Sequence, residues 1–198
     1  MTKHQQSLNH PQKGSRITVD PIRSLEDINE IKLLLRNDPL YLCLFTLGIN
    51  TGLRASDLLH ITAGQVKDLS PMDELCLNKR KTGNGRRMNL NSACVDAIHS
   101  LLASRGYLDE EVLFIGQRGP LTVSSVNRLW KRWARQCGIR GNFGSHSARK
   151  TFGYHQRATF GVCLPELMRV FGHSSERQTL AYIGIQDETI KNIYANTL

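Results

Sequence analysis

Four side chains late in this 198-residue sequence have the types and spacing to work on a phosphate group. His146 and Arg149 are three apart, so on a helix they share a face and can reach one target. Arginine presents a planar fork of N–H donors that fits phosphate oxygens. Histidine gives or takes a proton near neutral pH. Gly172-His173 follows the apolar run Leu167, Met168, Val170 and Phe171, and Tyr182 stands nine residues beyond His173. A tyrosine held beside such groups is a candidate covalent nucleophile.

The ordered set resembles the tyrosine recombinases, the phage integrase family. Their catalytic domain carries H-x-x-R, then G-H, then a nucleophilic tyrosine nine residues after that histidine. It also uses an earlier arginine in a T-G-x-R stretch and a lysine on a β-hairpin. Thr51-Gly52-Leu53-Arg54 and Lys81-Thr82-Gly83 match these, with Lys79 a competitor for Lys81 because it shares that side of a regular strand. Lys150 departs from the pattern, since many members have a second histidine there. The resemblance covers roughly residues 24–198. It implies an α+β, mainly α fold: a tyrosine recombinase catalytic domain with a small antiparallel sheet or hairpin. Residues 1–23 would be a flexible arm and 24–198 the catalytic domain of a short member lacking the usual N-terminal core-binding domain.

The activity implied is site-specific DNA recombination through a 3′-phosphotyrosyl intermediate, with no cofactor and no metal. Tyr182 would be the nucleophile, and Arg54 and Arg149 would hold the nonbridging oxygens. His146 would assist proton transfer at the nucleophile, His173 would hydrogen-bond the phosphate, and Lys81 would protonate the leaving oxygen. The implied partner is double-stranded DNA, held by a homo-oligomer (a tetrameric synapse in the family) with an accessory DNA-bending protein possible. A type IB topoisomerase-like relaxing activity and a non-catalytic DNA-binding regulator on the same fold are the alternatives.

These side chains need elements to hold them. Ser24 is an N-cap type followed by Glu26 and Asp27, and Leu25, Ile28, Ile31 and Leu35 keep helical spacing. Pro39 suits the first turn of a second helix over about 39–50, apolar nearly all round and therefore central. Asn50-Thr51-Gly52 reads as a turn, which puts Arg54 where that helix hands over to a third through Ala55–Ile61. Val66, Leu75–Leu77 and Met88–Leu90 read as strand pieces, with Thr82–Gly85 as a hairpin turn. Lys79, Arg80, Arg86 and Arg87 beside Lys81 would make this hairpin a cationic finger on DNA. Asn91 caps a helix, Val112–Ile115 is a short strand or turn, and Gly116–Pro120 a loop. From Thr122 a helix buries Val126, Trp130 and Trp133 and presents Arg128, Lys131, Arg132 and Arg135 as candidate phosphate contacts. Ser145 would cap the helix of His146 and Arg149, Pro165 open the next, and Ser174-Ser175 cap the helix of Tyr182. A last helix of about 187–196 would offer an apolar face, Ile190, Ile193 and Tyr194, for docking on its own chain or on another copy.

Composition agrees with an anionic partner. Twenty-six Lys and Arg against 17 Asp and Glu leave a net charge of +9. The five cysteines form no C-x-x-C, and the surroundings of Cys43, Cys76, Cys94 and Cys163 predict buried free thiols in a reducing compartment. The first residues have no apolar core of a signal peptide and no apolar run is long enough to span a bilayer, so the expected place is the cytoplasm, on the nucleoid when bound to DNA.

Overall fold

The computed structural model describes residues 18–77 and 86–185. Helix α1 (Leu25–Leu35) starts where Ser24 Oγ accepts the Asp27 N–H. Asp38 caps α2 (Pro39–Thr51) in the same way, through the Tyr41 N–H. Helix α2 is the central pillar: Cys43, Leu44, Phe45 and Leu47 are buried, and it packs on α4 (Ser92–Ser104) and α6 (Ser147–Ala158). Helix α5 (Val123–Gln136) lays Trp130 and Trp133 on Phe45, with ring centroids 5.2 and 6.0 Å away, so the tryptophan pair is core. Its Arg128, Lys131, Arg132 and Arg135 are exposed. Among the described residues no helix is long and apolar enough to cross a membrane.

The expected sheet is smaller than its sequence pattern suggests. Strands β1 (Glu74–Leu77) and β2 (Arg86–Asn89) pair antiparallel with Leu75 opposite Met88. Val66 is not in a strand, because Thr62 and Gln65 form a reciprocal cap that turns Ala63–Gln65 into a 3-10 helix. The Gly116–Pro120 loop contains a minimal hairpin, β3 (Ile115–Gly116) with β4 (Gly119–Pro120). The third helix, α3, is one turn, Ala55–Leu58. Two thiols expected inside are outside: Cys76 lies on the solvent side of β1, since successive strand residues face opposite ways and Leu75 takes the core side, and Cys163 is exposed at the start of α7.

The C-terminal part has its own small core. Helices α7 (Leu164–Phe171) and α8 (Glu176–Ile183) bury Leu167, Phe171 and Ile183 against one another and against α6. The approach to α6 is so close that a Cβ on Gly153 would lie 2.6 Å from both Phe171 Cζ and Ile183 Cγ2. Residues 18–23, expected from the sequence to belong to a flexible arm, lie along α6. The Ile22 N–H donates to Thr151 Oγ1 at 2.9 Å, His155 Nε2 meets Ile22 O at 3.0 Å, and Arg23 donates to Gly184 O at the end of α8.

Candidate active site

Two chain reversals bring the site together. Gly52 and Gly172, both left-handed with φ near 60° and 69°, end α2 and α7. The residues just beyond them, Arg54 and His173, are thereby turned toward the N-terminal end of α6. His146 is the N-cap of α6 and Ser147 its first helical residue, one position later than Ser145 as cap would give. No side chain caps this helix start; Ser147 Oγ instead accepts the Gly144 N–H of the preceding turn at 3.0 Å.

Arg149 lies at the centre and is 2% exposed. One end of its guanidinium donates to Gly52 O and the other to Phe171 O at 3.0 Å. The same group lies 4.6 Å from the Phe171 ring centroid. Arg149 therefore ties the turn that carries Arg54 to the turn that carries His173. Burial pulls its pKa down to about 10, which leaves it charged at neutral pH. Arg54 is exposed and its side chain caps nothing.

Tyr182 projects from α8 into this frame. Its ring lies 5.1 Å from the His173 ring and 5.4 Å from that of Phe171. Its hydroxyl oxygen is buried beside the Arg149 guanidinium and makes no hydrogen bond of good geometry among the described residues. Burial raises the phenol pKa, and the charges of Arg149, Arg54 and Arg86 pull the other way. His173 Nδ1 meets Thr179 Oγ1 at 3.1 Å, and that hydroxyl donates to Ser175 O, so the ring is held by the helix that carries Tyr182. His146 and His173 both have pKa values below the ordinary histidine range, first through desolvation and then through Arg149 and Arg54; Lys150 adds to the effect on His146.

The remaining candidates divide. Lys79, Arg80 and Lys81 lie outside the described residues, as does Tyr194. Arg87 is exposed and pairs with Glu74 at 3.5 Å. Arg86 departs from its expected place on a DNA-facing finger: it is half-buried, donates to Val170 O at 2.7 Å, and its charge bears on Tyr182 and Arg149. The alternation along β2 carries the signal, since Arg86 and Met88 share the inward side and Arg87 faces out. Lys150, which departs from the family pattern, also sits in the site: it is buried, with Nζ 5.5 Å from the Tyr182 ring centroid.

Two arginines, two desolvated histidines and a buried phenol around one point form a phosphoryl-transfer arrangement. The family model described as "Phage integrase family" matches residues 17–189. The chain belongs to this family. "Probable integrase/recombinase YoeC" of Bacillus subtilis (strain 168) is 37% identical over 182 residues, covering 89% of this chain and 95% of that protein. Further relatives of this phage integrase member carry the name tyrosine recombinase. The fold is that of the XerA recombinase crystal structure, with TM-score 0.73 and 20% identity over 93% of this chain and 65% of that one. It is also that of the XerH site-specific recombinase bound to palindromic difH substrate, with TM-score 0.70 and 16% identity over 93% of this chain and 55% of that one. The integrase-family chain thus spans nearly all of YoeC and about two thirds or less of the two solved recombinases.

Proposed function

We propose that this phage integrase family member is a site-specific DNA recombinase that breaks and rejoins strands through Tyr182. The observation that carries the reading is the Tyr182 hydroxyl, buried beside the Arg149 guanidinium with no hydrogen bond of good geometry among the described residues, under the charges of Arg149, Arg54 and Arg86. The net charge of +9 and the naming of YoeC and XerH as recombinases support DNA as the substrate.

In the proposed step the Tyr182 oxygen bonds to phosphorus as the bond from phosphorus to the 5′ oxygen breaks. The transition state spreads negative charge over the nonbridging oxygens, which Arg54 and Arg149 hold. The phenolic proton goes to His146, whose depressed pKa leaves the ring neutral and able to accept it at pH 7. His173 donates to a phosphate oxygen, and Lys81 supplies the proton to the leaving 5′ oxygen. A 5′-hydroxyl of another strand then attacks the phosphotyrosyl link and releases Tyr182. The energy of the phosphodiester is kept in the ester, so no cofactor is consumed.

Two duplexes have four strands to cut and each copy supplies one nucleophile, so the working assembly on this reading is four copies on DNA. A DNA-bending protein fits where the sites must be brought together, because a sharp bend in a short duplex costs several kcal/mol. The candidate outward contacts are Lys79, Arg80, Arg87 and the basic face of α5. The test is to incubate the protein with DNA flanking its gene and to map covalently trapped 3′ ends. Tyr182→Phe should remove every adduct and keep noncovalent binding; adducts that survive in this variant overturn the reading.

A further inference from the structure

We propose that Lys150 forms a second phosphate-binding position, which takes the phosphodiester next to the one that Tyr182 attacks. This rests on the recombinase reading above. Lys150 is 8% exposed, yet its ammonium makes no hydrogen bond and no ion pair among the described residues. A lysine whose stem is buried, and whose ammonium opens on a cavity over the Tyr182 ring with no carboxylate paired to it among the described residues, is a place for an anion. The open side exists. A cavity of about 700 Å³ is lined by Lys150, His146, His173, Arg177 and Tyr182, and among the described residues no carboxylate lines it. Among the described residues the acid whose charge bears on Lys150 is Asp20, which already accepts the Asn142 N–H at 2.8 Å; Arg23 on the same segment opposes it.

The placement follows from the helix. Arg149 and Lys150 are successive residues of α6, so they leave the axis about 100° apart. Arg149 points inward to Gly52 O and Phe171 O, at the candidate clamp. Lys150 lies over the ring of the nucleophile, with its Nζ 5.5 Å from the Tyr182 ring centroid. A strand with one phosphate at the clamp carries the next phosphate one sugar away, which brings it to the mouth of this cavity. Lysine suits the task as a compact charge on a long stem, whereas the fork at Arg149 suits the two oxygens of the reacting group.

The test uses a duplex carrying a mapped cleavage site and the Tyr182→Phe protein, so that only noncovalent binding is read. Lys150→Met keeps the stem and removes the charge; Lys150→Gln serves as a second variant if the first fails to fold. Either variant should weaken binding and reduce the slope of log affinity against log salt by about 0.9, the amount for one phosphate contact. Lys150→Arg should keep the slope. A neutral methylphosphonate at one of the two phosphates flanking the scissile bond should weaken binding with Lys150 present and have no effect in Lys150→Met. An unchanged slope, or methylphosphonate penalties that are the same with and without Lys150 at both flanking positions, overturns the proposal. Loss of the recombinase reading would show separately, as absence of a Tyr182 adduct on unmodified DNA.

Discussion

Arg149→Lys should damage this protein twice, and the two damages can be measured apart. In the absence of DNA the guanidinium holds Gly52 O and Phe171 O at once and faces the Phe171 ring at 4.6 Å. A lysine ammonium cannot span both carbonyls. Leaving one buried acceptor unpaired costs about 1–3 kcal/mol. The lost contact with the ring adds roughly 0.5–2 kcal/mol. A total of about 1.5–5 kcal/mol, at about 2–4 °C per kcal/mol for a domain of this size, lowers Tm by roughly 3–20 °C. Loss of the fork at the reacting phosphate should separately slow single-turnover adduct formation by about 10²–10³. Arg54→Lys is the control, because Arg54 is exposed and its side chain caps nothing. That variant should lose a similar factor in rate with a stability change within about 0.5 kcal/mol. Thermal unfolding without DNA and trapping on a nicked duplex give the two numbers. An Arg149→Lys protein that melts like the parent and cleaves at near-normal rate would refute the tie and the clamp together.

Three further outcomes are expected. Lys81→Ala should cleave a substrate with sulfur at the bridging 5′ position well and the ordinary substrate poorly; equal defects on both would move the acid to Lys79 or His146. Gly153→Ala should push α7 and α8 off α6, since the new methyl would meet Phe171 and Ile183 at 2.6 Å; adduct formation should fall much further than DNA binding, and parental adduct rates would count against that close approach. Stability should decline on acidification: the pKa values of His146, His155 and His173 are lowered in the folded chain, so the unfolded chain binds more protons below about pH 6.5 and folding weakens as pH falls. A Tm that is flat or rises between pH 7 and pH 5 contradicts this sign.

The residue spacing carried the helices and much of the candidate site because helical period and capping are local. Ser24, Asn91, Thr122 and Ser175 could be read as caps from their own neighbourhoods, and their side chains accept the amides a cap must accept. The positions that were missed depend on what lies opposite in space. Arg86 looks like one more charge in a basic hairpin until Val170 O is found beneath it. Cys76 shares a run of apolar neighbours with Leu75, and only the partner strand decides which of the two faces the core. Val66 has strand-like chemistry but follows a cap that had already committed the chain to a turn. Lys150 stands in the sequence only as a departure from the family pattern, and a sequence does not show that its stem is buried beside a cavity.

The double tie of Arg149 makes cutting conditional on completed folding. The side chain is aimed by carbonyls from two turns that are over a hundred residues apart in the chain, Gly52 and Phe171. A copy still emerging from the ribosome, or one whose last helices have come undone, has neither the aimed arginine nor the tyrosine in place. Under the proposed activity such a copy can settle on a chromosome without nicking it. The interlock matters most for a protein of this kind, because each stray cut would leave a break capped by the very molecule that made it.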